Sequence, residues 1–122
     1  MRWRLVCKLA SQLPEVEEGP TYGERALRVR GSIFARQLRD KRGVVVKVSL
    51  AEREVLCAAE PGVYSVPPEY RNYALMVVRL ASVGGAAMRA RLEAAWRLSA
   101  PPSLLADHDA GRTRPTGGRL NG

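Results

Sequence analysis

Between Ala26 and Val48 the sequence ALRVRGSIFARQLRDKRGVVVKV repeats its apolar residues at every second position. Leu27 and Val29 alternate with Arg28 and Arg30, the pattern of a strand with one apolar and one charged face. Gly31-Ser32 fits the centre of a type II′ hairpin turn, glycine supplying the positive φ at the first position. A second strand, Ile33 to Leu38, then pairs back antiparallel, although its facing is ambiguous because Phe34 and Leu38 share parity with Arg36. After the charged connection RDKRG, a third strand puts Val44, Val46 and Val48 on one face and Lys47 on the other. A helix cannot serve a period of two, so this run commits the chain to an antiparallel meander with one buried face.

The flanks change period. Val6, Leu9, Ala10 and Leu13 recur at helical spacing, and Pro14 ends that helix. The polar EVEEGPTYG reads as a loop into the sheet. Ser49 followed by Glu52 is a capping box, opening a helix that Pro61-Gly62 stops. Pro67-Pro68 confines the next segment to a short sheet edge and a turn, and ALMVVRL is a further strand. After Gly84-Gly85, a simple strand-to-helix turn, Met88, Leu92, Ala95 and Trp96 mark a last helix. The predicted order is α-β-β-β-α-β(β)-α, an α+β fold of four to five antiparallel strands with helices packed on one face. Residues 1–100 form a single domain, and 101–122, rich in proline, glycine and arginine, a flexible tail.

Length and composition agree with this: 122 residues, 46% hydrophobic and 26% charged, are enough for one core. Cys7 and Cys57, fifty positions apart, form neither a CxxC motif nor a zinc-ligand pair and read as reduced, buried thiols. MRWRLVCKLA lacks the features of a signal peptide, and no stretch approaches the about 20 apolar residues of a membrane span, so the expected compartment is the cytoplasm and no membrane partner is expected.

The net charge of +8 makes nucleic acid or another polyanion the first partner class to consider. Residues 22–47 hold eight basic side chains against Glu24 and Asp40, +6 of that total. By parity Arg28, Arg30, Lys47 and Arg79 leave the apolar face of their strands, which predicts a basic open face. With Arg36, Arg39, Lys41 and Arg42 they are the candidate nucleic-acid-binding residues. A two-stranded ribbon enters a major groove, and arginines hold phosphates bidentately. Arginine on an exposed strand also serves solubility and edge protection, and an acidic protein partner fits the same charge. Single-strand binding by stacking is disfavoured, since Phe34 is the only aromatic between Tyr22 and Tyr64. Tyr64, Tyr70 and Tyr73 cluster near the proline pair, either closing a loop over the sheet edge or forming a protein interface or homodimer contact.

No catalytic or metal constellation stands out, and no cofactor is expected. His108, the only histidine, lies between Asp107 and Asp109 in the predicted tail. Glu15, Glu17 and Glu18 read as charge-offsetting loop residues rather than a catalytic pair, and Trp3 and Trp96 as core or interface anchors.

The segments EVEEGPTYGERALRVRGSIFA, VVVKVS, AEREVLCAAEP, PPEYRNY, LMVVRL and AAWRLSAP, in this order across about residues 5 to 101, resemble the MmcQ/YjbR-like family of small bacterial proteins. The resemblance implies a compact α+β fold related to the secretion-chaperone-like and double-wing folds, no assigned catalytic residues, and DNA as the partner class; the basic ribbon makes double-stranded DNA the expected form. It attaches to Tyr22-Gly23, Arg28 to Arg30, Phe34-Ala35, Lys47 and Tyr70. The chain departs from the family pattern at Ser32, where lysine is frequent, and at Ala74-Leu75-Met76, where an aromatic is frequent. A non-enzymatic DNA-binding protein is one expectation, and an interaction or homodimerisation module with a merely solvated basic face is the alternative.

Overall fold

The structure, a computed structural model, describes residues 1–118. Helix α1 (Trp3–Ala10) leads into β1 (Val16–Thr21), β2 (Glu24–Val29), β3 (Ser32–Gln37) and β4 (Gly43–Lys47). Helix α2 (Leu50–Ala59), β5 (Tyr64–Ser65), a 3₁₀ turn at Pro68–Tyr70, β6 (Leu75–Arg79), α3 (Gly85–Ser99) and α4 (Pro102–Asp109) follow. The strands form one antiparallel sheet in the order β1-β2-β3-β4-β6-β5, so the fold is α+β with six strands and four helices among the described residues.

Two elements differ from the sequence reading. β1 occupies the stretch read as a polar loop, and its composition explains why: of Val16, Glu18 and Pro20, which share one side of the strand, only Val16 is an apolar strand former, and Pro20 is exposed. The Glu18 side chain is only 2% exposed and is satisfied there, accepting hydrogen bonds from Trp3 Nε1 (3.3 Å) and from the Arg25 guanidinium. The second element is α4, where composition suggested a flexible tail. Leu104 is buried, His108 packs edge-on against Trp96 with ring centroids 5.0 Å apart, and His108 Nδ1 lies 2.9 Å from Thr113 Oγ1. The chain then returns to the start of the sheet: Thr116 N and Oγ1 donate to Leu13 O (3.0 and 2.7 Å), and Val16 N donates to Thr116 Oγ1 (2.8 Å).

The core lies on the helical side of the sheet, where Val6, Cys7, Ala10 and Leu13 meet Val16, Leu27, Val29, Val44, Val46, Met76 and Val78, with Met88, Leu92 and Trp96 of α3 packed against them. Trp96 is fully buried and its Nε1 donates to Pro14 O at 3.0 Å, so the ring fills the core without leaving an unpaired donor. Burial pushes the Cys7 thiol up to about 12, with the Glu18 carboxylate adding to the effect, so it stays protonated and behaves as a small apolar side chain. The Ser49 cap forms as the sequence indicates, Ser49 Oγ accepting from Glu52 N at 3.2 Å.

Both β1–β2 and β2–β3 are hairpins with two-residue loops, Tyr22-Gly23 and Arg30-Gly31, and all four residues have positive φ (49°, 87°, 48° and 82°). That is the type I′ signature, in place of the type II′ turn expected at Gly31-Ser32. Ser32 is instead the first residue of β3, opposite Val29. Arg30 consequently sits in the turn and not on the open face of a strand. Tyr22 is 96% exposed and carries a left-handed backbone that asparagine tolerates better. Tyr22→Asn is expected to raise the stability of the protein by about 0.5–1 kcal/mol. The urea unfolding midpoint reads this, and a lowered midpoint would rule the turn assignment out.

Candidate nucleic-acid interface

One extra residue in β3 decides which side chains share the outer face. Leu27 is opposite Ala35 and Arg28 is opposite Ile33, which leaves Phe34 without a partner in a β-bulge. Phe34 and Ala35 both turn into the core, while Arg36 keeps the outer parity beside Val45. The ambiguity between Phe34, Arg36 and Leu38 is resolved in this way. The register then puts Arg28, Arg36, Val45, Lys47, Val77, Arg79 and Ser65 on the face away from α1 and α3.

Three of the four basic side chains on that face are already committed to internal contacts. Arg28 Nη2 donates to Pro20 O (3.0 Å), Arg36 Nη2 to Tyr70 Oη (2.7 Å) and Lys47 Nζ to Ser32 Oγ (3.2 Å). The last contact accounts for Ser32, since a lysine there would face the Lys47 ammonium. Arg53 of α2 holds the connection before β6, its Nη1 donating to Tyr73 O (2.7 Å) and Leu75 O (3.1 Å).

The hairpin ends are charged but paired. Arg30 bridges to Glu15 at 2.8 Å and Arg39 to Glu24 at 3.1 Å, while Arg25 grips Glu18. These guanidinium hydrogen bonds hold the Glu15 and Glu18 carboxyls below the usual carboxylate range. Residues 15–47 carry eight basic against five acidic side chains, +3 where residues 22–47 alone suggested +6. The acidic run therefore offsets the arginines, as its position implied.

Lys41, Arg42 and Arg79 differ from the other five candidate residues: among the described residues, none of their side chains donates a hydrogen bond or enters an ion pair. All three line one cleft of about 740 Å³ with Asp40, Ser65, Leu38, Pro67, Val77 and Leu80. Its floor depends on Gly43, which lies opposite Arg79 in the ladder. A Cβ there would meet Leu38 Cδ1 and Val77 Cγ1 at 2.9 Å and Val78 O at 3.2 Å. Glycine thus lets Leu38 fold down onto the sheet beside Val77. The sequence signal for this was present but unread: a lone glycine opening a run of valines marks a close approach.

The tyrosines separate. Tyr64 is a buried core residue on β5, Tyr70 is engaged by Arg36, and Tyr73 alone is open, 62% exposed, lining a small cleft with Leu75 and Leu98. They do not make one surface. Among the described residues no group of three His, Cys, Asp or Glu side chains is placed to hold a metal ion, and no helix is long and apolar enough to cross a membrane.

An α+β chain with this open six-stranded sheet is similar in fold to a solved structure, the crystal structure of Deinococcus radiodurans protein DR2400, described by the domain DUF419. The TM-score is 0.68 at 15% identity, covering 80% of this chain and 77% of that one. The sequence matches the YjbR family over residues 11–98, and the chain belongs to that family, as the resemblance of its motifs implied. No curated protein matches it.

Gly43→Ala should destabilise the protein by about 1–3 kcal/mol, because the added methyl meets the Val77 side chain and the Val78 carbonyl and not only the flexible Leu38 tip. Chemical denaturation measures this, and an unchanged midpoint would show that the floor is not close-packed.

Proposed function

We propose that this protein is a non-enzymatic binder of double-stranded DNA that holds backbone phosphates with Lys41, Arg42 and Arg79. The observation that supports the reading most is that these three cations share one exposed cleft without partners of their own. A free guanidinium or ammonium meets a phosphate without first breaking an internal contact, whereas Arg25, Arg30 and Arg39 must leave carboxylates. Arg28, Arg36 and Lys47 lie on the same face and add to its field from their internal bonds. Their carbonyl and hydroxyl partners leave the positive charge uncancelled. Such contacts position DNA without reading its sequence.

A second reading, a protein-interaction or homodimer module, rests on exposed apolar side chains elsewhere: Leu50 and Val55 of α2, with Tyr73 and Leu98. The two readings use different surfaces, so one variant separates them.

Binding by three phosphate contacts corresponds to a slope of log affinity against log salt of about −2.7, against about −4.5 if five cations were engaged. Fluorescence anisotropy with a duplex at several salt concentrations measures the slope. Charge reversal of Lys41, Arg42 and Arg79 to glutamate should abolish duplex binding, while Arg30→Glu and Arg39→Glu weaken it only modestly. Sedimentation of the triple variant should match the parent. A salt-independent affinity, or full binding by the triple variant, would exclude the phosphate reading.

A further inference from the structure

The cleft beneath Lys41, Arg42 and Arg79 has more structure than a phosphate-tracking surface needs. Its cations come from two elements that the fold locks together: Lys41 and Arg42 from the β3–β4 connection, Arg79 from the end of β6. The connection is fixed at every backbone position that matters. Leu38 N donates to Gly43 O (2.9 Å), Lys41 N to Leu38 O (2.9 Å), Arg42 N to Asp40 Oδ1 (2.8 Å) and Leu80 N to Arg42 O (3.0 Å). Lys41 is held at a φ of 64°, a conformation that a side-chain-bearing residue adopts at a cost. Asp40, the single carboxylate lining the cleft, spends an oxygen on this loop and stands against three cationic side chains and the Met1 ammonium, which donates to Leu80 O at 2.9 Å.

The same cleft is lined by the apolar side chains of Leu38, Val77 and Pro67 and by the small polar Ser65. Backbone diesters engage the cations and leave the apolar part of the cleft unfilled. A phosphate attached to one nucleoside uses both parts: a doubly charged monoester for the cations, and the flat face of a base for the apolar lining. We infer that this cleft is a binding site for a nucleoside phosphomonoester, supplied either by the 5′-phosphorylated end of a DNA strand or by a free mononucleotide. The strand-end form rests on the DNA-binding reading above, whereas the free-nucleotide form stands without it.

Two pairs of probes test the site on the full chain. The first is a DNA hairpin duplex carrying a 5′-phosphate, compared with the same hairpin ending in a 5′-hydroxyl. The second is adenosine 5′-monophosphate compared with adenosine, titrated by calorimetry. The phosphorylated member of at least one pair should bind about tenfold more tightly, the worth of one added charge-assisted contact. That preference should disappear in Arg79→Ala and in Lys41→Gly, the glycine suiting the left-handed backbone so that the loop survives. A preference confined to the mononucleotide pair identifies a free nucleotide as the source, and one in the hairpin pair identifies the strand end. Equal affinities within both pairs, or a preference unchanged in both variants, would overturn the site. Binding of the 5′-hydroxyl hairpin itself reports separately on the DNA reading, because that probe carries only diesters.

Discussion

Phe34 has no partner across the β2–β3 ladder, and the two faces of the sheet depend on that irregularity. Strand β3 must supply an aromatic and an alanine to the core and an arginine to the outside, which a strict alternation through positions 34 and 36 cannot do. With the bulge, Phe34 and Ala35 pack against the helices, and Arg36 stands beside Val45 on the outer face. Leu38 continues outward beyond it and covers Gly43. The cleft floor, and with it the spacing of Lys41, Arg42 and Arg79, follows from this register.

Charge reads differently once partners are assigned. The concentration of arginine in the hairpins is the most visible property of the sequence, yet these are the cations with carboxylates at hand. Glu15 and Glu18 precede the basic run in the chain and meet it in space, because β1 folds back along β2. The exposed Arg30–Glu15 pair contributes little to stability, roughly 0–1 kcal/mol, whereas the Glu18 carboxylate is shielded from water; both pairs lower the potential that an approaching polyanion feels. The effective positive surface is therefore shifted from the hairpin tips toward the β3–β4 connection and the end of β6.

Much of the fold could be read in the sequence because apolar periodicity and turn residues agree over α1, β2 to β4, α2, β6 and α3. β1 was missed for a physical reason: after the buried Val16, the same side of the strand continues with a carboxylate that Arg25 and Trp3 satisfy and then an exposed proline, so no apolar alternation announces it. The turn at Arg30-Gly31 was displaced by one residue because arginine is an unusual choice for a positive φ, and Gly31 fits either register. Helix α4 contains Leu104, which the core buries, and a histidine that finds Trp96; neither contact leaves a local pattern. At the candidate site, Arg28, Lys47 and Arg79 stand on the outer side of their strands that parity assigns them, the first two half-buried; the facing of Arg36, ambiguous in the sequence, is set by the bulge, and Arg30 lies in a turn. Which of them are free could not be read locally, since the partners of Arg30 and Arg39 lie 15 residues away in sequence.

In the proposed reading, unpaired cations at one cleft, and not the count of arginines in the hairpins, set where a polyanion docks. Amide NMR during titration with a short duplex tests it residue by residue. The account predicts the largest shifts at Lys41, Arg42, Arg79, Val77 and Ser65, with smaller ones at Arg25, Arg30 and Arg39. Shifts centred on the Tyr22-Gly23 and Arg30-Gly31 turns, with the cleft unmoved, would contradict it.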